Sequence, residues 1–202
     1  MSKLEDMQKL ALEHVSEGRL EEGSSLLREC CTLTGDLYGE SSYDFAQSQF
    51  TLALCLFRQV GGSNDEIYAL AKNALNIRLE KRGKTDVSVA VCAEFFGSIC
   101  ELMAKLDEAM YAYRIALDNA LSLVGPKHIN TAKAQLNLAR ITENSTEAKT
   151  LTLNAIQTRL EVFGPDSPES IAACEFGKAI GLDVSQAKEG DNRLAPDQNT
   201  MR

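Results

Sequence analysis

Two histidines, six cysteines and one basic helical triad are the side chains in this 202-residue sequence whose types suit catalysis, metal binding or ligand capture. A histidine acts as general base only beside a group whose proton it can take, and the sequence places no nucleophile near His14 or His128. His14 falls at a helix-packing position and His128 in a connector, so packing or capping is the expected role of each. Cys30, Cys31, Cys55, Cys92, Cys100 and Cys174 show neither CxxC nor Cys/His ligand spacing. Most of them lie in apolar helical runs, where cysteine serves as a small hydrophobe, so neither a disulfide framework nor a zinc site is expected. No Walker-type loop, GxSxG elbow, HExxH or EF-hand occurs, and the glycines are too widely spaced to cradle a phosphate. The expectation is a protein that is not an enzyme and needs no cofactor or metal.

The remaining candidates suit binding. Lys133, Asn137 and Arg140 recur at i, i+4 and i+7, which sets two cations and an amide on one helical face, where they can grip a carboxylate or a peptide backbone. A solvated face gives the same pattern. Tyr43, Phe50 and Phe57 are similarly open to two readings, core packing or a ligand pocket. If Phe57 faces a groove it becomes a candidate anchor.

These residues are positioned by a repeat. Gly39, Gly83, Gly125 and Gly164 each stand nine residues after a small side chain (Cys30, Ala74, Ala116 and Ala155), and the first three lead fourteen residues on to Ala53, Gly97 and Ala139. The glycines are 44, 42 and 39 residues apart. Periods of this size signal a solenoid of stacked supersecondary units. Three- and four-residue apolar spacing makes each unit two antiparallel helices, with breaks at Gly18, at Gly61 to Asn64, near Ala104, and at Glu143 to Ser145. Ser145 is the expected N-cap of the helix starting near Thr146. Each repeated glycine is expected to end a second helix in left-handed geometry, where a Cβ is costly. The small residues let paired helices approach closely, so Gly97→Leu is expected to cost about 1–3 kcal/mol. A last stripe from Glu169 to about Leu182, with no second helix after it, reads as a terminal cap. From Val184 the sequence is polar and aperiodic. The expected organisation is therefore an array over residues 1–183, about four helix pairs plus a capping helix, and a flexible tail over 184–202.

The connectors GESSYDFA, GKTDVSVA, GPKHINTA and GPDSPESI resemble the G-x-x-H-P-D-T-A linkers of the tetratricopeptide repeats (TPR) in kinesin light chains. GPKHINTA keeps Gly125, His128, Thr131 and Ala132, GPDSPESI keeps Gly164 and Pro168, and Asn137 to Ala139 match the family's first-helix core. Small residues at Ala11, Gly23 and Cys30, and at Gly97, Ala109 and Ala116, fit the general signature. Unit two lacks a small residue at the start of its second helix, unit four is shortened, and no heptad coiled coil precedes the array. The fold the resemblance implies is all-α, a right-handed α-solenoid of tetratricopeptide-like helix hairpins covering roughly residues 3 to 182.

The resemblance also implies a function. Proteins of this type hold an extended peptide or partner helix on the concave face lined by first helices. Projecting the family's inward positions gives Gln8, Leu12 and Val15; Gln47, Phe50, Leu54 and Phe57; Val91, Glu94, Ser98 and Glu101; and Lys133, Leu136, Asn137, Arg140 and Glu143. The partner-binding groove is expected at Phe50, Leu54, Phe57, Glu94, Ser98, Glu101, Lys133, Asn137 and Arg140, apolar at its N-terminal end and charged at the other. A net charge of −8 and a pI near 4.9 oppose nucleic acid or an anionic membrane as partner. No signal-like segment or eighteen-residue apolar run occurs, so a cytoplasmic protein is expected, monomeric or weakly self-associating. The alternative is a structural subunit that stacks through its terminal repeats inside a larger assembly.

Overall fold

The computed structural model describes residues 3–188, and Cα packing divides the chain into two compact units, one up to Leu123 and one from Val124 onward. The first unit holds three helix hairpins: α1 (Lys3–Ser16) with α2 (Leu20–Tyr38), α3 (Tyr43–Val60) with α4 (Asp65–Arg82), and α5 (Val87–Leu102) with α6 (Leu106–Val124). The second unit holds α7 (Ile129–Ile141), α8 (Ser145–Phe163), α9 (Pro168–Ala179) and the single turn α10 (Ser185–Lys188). No strand occurs among the described residues. Within the first unit α2 packs on α3 and α4 on α5, so each hairpin is covered by the next; within the second, α8 packs on both α7 and α9.

Close approach within a hairpin follows from the small residues. A Cβ on Gly23 would stand 2.7 Å from Val15 Cγ2, and one on Gly97 2.6 Å from Tyr113 Cε1. Ala11, Cys30, Ala53, Ala74, Ala109 and Ala155 are wholly buried. Ile67 occupies the start of the second helix in unit two, where Gly23 and Ala109 stand in their own units, and it too is wholly buried. Burying a side chain of that size contributes about 1.5–3 kcal/mol.

Gly39, Gly83 and Gly164 end their second helices, but not in the left-handed helical region expected for them. They combine φ of 88°, 74° and 79° with ψ of 149°, 175° and 169°. A positive φ with extended ψ is open essentially to glycine alone, so the restriction is tighter than a left-handed cap imposes. Gly61, at φ 65° and ψ 24° after α3, takes the left-handed form. Three residues beyond each connector glycine comes the N-cap of the next helix: Ser42, Asp86, His128 and Ser167 accept from the backbone N–H of Phe45, Ser88, Asn130 and Ser170. His128 is therefore a cap through Nδ1, which requires the proton on Nε2. In α8 the cap is Asn144, which accepts from Thr146 and Glu147, while Ser145 is already helical. The carboxamide oxygen of Asn144 reaches two orphan donors at once, which is why it takes the position from Ser145.

The shortening of the fourth hairpin falls on its first helix, 13 residues in α7 against 18 in α3. After α9 the chain turns at Gly181, at φ 72°, and folds back, so that Leu182, Val184 and Ala187 pack with Ile156 and Ala173. The end of the array is thus covered by this turn and α10. Residues 184–188, expected to begin the tail, hold a helical turn whose Ala187 is buried; 189–202 lie outside the described residues.

Candidate functional site

In the first unit the expected groove residues of α3 and α5 meet through one residue the sequence reading left out. Phe50, Leu54 and Phe57 share a face of α3 at i, i+4 and i+7. Phe95 of α5 reaches them edge-on, its ring centroid 5.6 Å from Phe50 and 5.7 Å from Phe57. Each such pair adds about 0.5–1.5 kcal/mol beyond area burial. Phe50 is only 6% exposed and belongs to the core, Phe57 is half-buried, and Leu54 is 38% exposed. Signals for Phe95 were its place in an apolar run and its spacing of four residues from Val91.

Behind Phe50 lies Arg78, 2% exposed. Its guanidinium stacks on Phe50 at 4.6 Å and lies 5.6 Å from the Tyr43 ring, while Nη1 and Nη2 donate to Ser88 O and Gln47 Oε1, each at 2.8 Å. A planar cation with fixed donor directions can stack and bridge in this way; an ammonium cannot. Arg159 repeats the device in the second unit, where Nη1 donates to Glu169 O at 2.8 Å and burial holds the guanidinium below its ordinary pKa. Each arginine stands five residues before a connector glycine and bonds the carbonyl ten residues on, tying a second helix to the start of the next first helix. The repeated R-L-E at 78–80 and 159–161 was the available signal.

On α5 the polar groove candidates serve local structure. The Ser98 hydroxyl donates to Phe95 O at 2.7 Å, and Glu101 accepts from the Tyr113 hydroxyl at 2.8 Å, which fixes the ring that covers Gly97. Ser98, Glu101 and Glu94 are all half-buried. In the second unit Lys133 and Arg140 are exposed on α7 and Asn137 is half-buried, on the face their spacing predicted.

A cleft of about 160 Å³ opens in the first unit between α1, α2 and α3, lined by Gln8, Leu12, Leu27, Cys30, Gln47, Ser48 and Thr51. Gln8, Leu12 and Gln47 were projected inward from the sequence; Ser48 was not. The cleft is about half the lower bound of roughly 300 Å³ for small-molecule pockets, a size that suits one side chain. The Gln47 amide has its oxygen turned to Arg78, so its N–H pair faces Thr51, at 3.3 Å, on the cleft wall.

Both histidines make local hydrogen bonds: His128 caps α7, and His14 Nδ1 accepts from Arg19 Nε at 2.8 Å. All six cysteines are free, and burial pushes Cys31 and Cys92 up to about 12 and Cys100 up to about 11. Among the described residues no group of His, Cys, Asp and Glu is arranged to hold a metal, and no helix is long and apolar enough to cross a membrane.

The backbone aligns with solved helical-repeat structures over most of its length. A candidate kinesin light chain of Podosopora anserina with nearly identical TPR-like repeats matches at a TM-score of 0.72 and 16% identity, covering 93% of this chain and 87% of the other. A variant of the same protein with one glutamine replaced by methionine matches at 0.71, with the same identity and coverage. BtubC (BKLC) from P. vanneervenii matches at 0.66 and 19% identity, over 98% of this chain and 85% of its own. The fold is that of tetratricopeptide-like repeats. No family model matches the sequence, and no curated protein matches it. At these identities the likeness establishes the TPR-like fold alone.

Proposed function

We propose that the chain is an adaptor that captures an extended peptide or partner helix on the face formed by the first helices of its TPR-like hairpins. The observation that carries this reading is the apolar surface at the repeated inward positions of the first unit. Leu12 is 52% exposed, Leu54 38% and Val91 49%, with Phe57 half-buried beside them. Leu12 and Leu54 each stand one residue after the small residue of their helix, Ala11 and Ala53, and Val91 stands on the first helix of the next hairpin; exposed apolar surface of this kind marks interaction sites. Lys133, Asn137 and Arg140 of α7, two cations and an amide, supply polar contacts in the second unit, and the acidic balance of the chain favours protein over nucleic acid as partner. The cell compartment proposed is the cytoplasm.

The test is affinity capture with the wild-type chain against Leu54→Asp and against the Lys133→Glu/Arg140→Glu pair, with melting temperature as control. A prey retained by the wild type and lost from a well-folded variant locates the site. Equal retention by all three removes these residues from it.

A second reading, self-stacking through the last repeat, draws on Val162, Phe163 and Ile171, exposed at 52%, 43% and 46%. Sedimentation over a concentration series decides it: a mass that stays monomeric at every concentration counts against stacking.

A further inference from the structure

The amide of Gln47 has one way to face. Its Oε1 accepts from Arg78 Nη2 at 2.8 Å, and a guanidinium offers donors and no acceptor, so the oxygen of the amide is the end turned inward. Arg78 is itself fixed: it is 2% exposed, donates through Nη1 to Ser88 O, and lies against the rings of Phe50 and Tyr43. The nitrogen end points the other way. Nε2 donates to Thr51 Oγ1 at 3.3 Å, just beyond the usual range, while the Thr51 hydroxyl gives its own proton to Gln47 O at 3.0 Å. A carboxamide nitrogen carries two N–H groups, and this chain of bonds engages one of them. Gln47 is an exposed residue, so the second N–H is a donor left to solvent.

That donor stands on the proposed binding face, seven residues before the exposed Leu54 and so two turns along the same side of α3. The cation beneath it sharpens it. Among the described residues no carboxylate is bonded to Arg78, whose hydrogen bonds go to two amide-type oxygens. A charge-assisted bond to the oxygen of an amide polarises the N–H at its far end, and does so most where water is excluded. A group placed against Gln47 must therefore bring an oxygen. Asp44, exposed one turn earlier on α3, disfavours a carboxylate there and favours a neutral carbonyl. A helical partner has its interior carbonyls bonded to its own N–H groups, whereas an extended segment has them free.

We propose that Gln47, oriented by Arg78, donates to a main-chain carbonyl of the captured partner and so selects an extended peptide over a helix; this rests on the scaffold reading above. The probes are peptides selected from a displayed random library on the full wild-type chain, with affinity read by fluorescence anisotropy. Gln47→Glu keeps an oxygen for Arg78 but turns the outward donor into an acceptor. Its melting temperature should be no lower than that of the wild type, and the peptides should bind it at least about tenfold more weakly. In the wild type a Gln47 side-chain N–H resonance should move downfield on binding, which an amide with a purely structural role does not do. Arg78→Met, which releases the amide, should reduce that shift and weaken binding about threefold. Replacing each peptide side chain in turn by alanine should leave the gap between wild type and Gln47→Glu in place. Peptides that bind Gln47→Glu as tightly as the wild type overturn the inference and leave the scaffold standing. A single alanine that closes the gap assigns the oxygen to a side chain, and binding unchanged by Arg78→Met removes the positioning role; either overturns it. A library that yields no binder removes the scaffold reading and this inference together.

Discussion

Gly97→Ala separates packing from helix propensity because the two predict opposite signs. In an exposed helix interior the change stabilises by about 1 kcal/mol, since alanine restricts the unfolded chain and glycine does not. At Gly97 the added methyl would lie 2.6 Å from Tyr113 Cε1 and 2.7 Å from Cδ1, closer than carbon atoms approach. Tyr113 is 1% exposed and its hydroxyl bonds Glu101 at 2.8 Å, so the ring can withdraw only by breaking that bond or spreading the α5–α6 hairpin. Overpacking costs about 1–3 kcal/mol, and losing a hydrogen bond to a charged group about 1.5–3 kcal/mol more where it is buried. Glu101 is half-buried and only part of that second cost applies. The net expectation is destabilisation by about 1–3 kcal/mol after the propensity gain. Urea unfolding followed by far-ultraviolet dichroism measures it, with Tyr113→Leu and the double variant completing a cycle. The cycle should show the Gly97→Ala penalty falling by at least about 1 kcal/mol once the ring is gone. A Gly97→Ala protein more stable than wild type refutes the close-approach argument.

Arg78→Ala should destabilise by about 3–5 kcal/mol because it leaves Ser88 O, Gln47 Oε1 and the faces of Tyr43 and Phe50 without their partner, whereas Arg78→Met, which keeps the volume, should cost under about 2 kcal/mol in the same denaturation assay. Asn144→Ala should cost about 0.5–2 kcal/mol and Ser145→Ala close to nothing, the reverse of what the serine alone suggests. Iodoacetamide at pH 8 should label Cys174 first in the native chain, since the other five thiols are buried; mass spectrometry of partial labelling reads the order. Lys72 and then Tyr68 hold the Glu108 carboxyl below its ordinary 4.5, and the Ser88 side chain and N–H hold Asp86 below 3.8. The stability these contribute is complete above those ordinary values and is lost as the pH falls through the lower folded ones, so an acid titration of the melting temperature should show Glu108→Gln losing less than the wild type below about pH 4.5.

Helix positions were legible in the sequence because two punctuation signals agree: apolar residues at three- and four-residue steps, and a glycine at most turns where φ is positive, Ala104 between α5 and α6 being the exception. The break at Gly61 to Asn64 and the helix starts at Tyr43, Asp65 and Val87 came from those signals alone. Three features were less legible. The glycine conformation combines positive φ with extended ψ, and composition cannot distinguish that from a left-handed cap because both demand glycine. Asn144 and Ser145 are both good caps by type, and only the reach of the carboxamide to two N–H groups separates them. The inward positions, projected from the repeat, did not reveal which side chains are spent on the scaffold. Phe50 is committed to Arg78 and Phe95, and Glu101 to Tyr113, because a long side chain at an inward position can fold sideways onto its neighbours.

The central claim is that the first helices of the hairpins, and not the second, carry partner recognition. Peptides selected from a displayed random library should be bound to the full chain and mapped by amide hydrogen exchange. Protection concentrated on α1, α3 and α5 around Leu12, Leu54, Phe57 and Val91 is the predicted result, and protection on α2, α4 and α6, or a library that yields no binder, contradicts it.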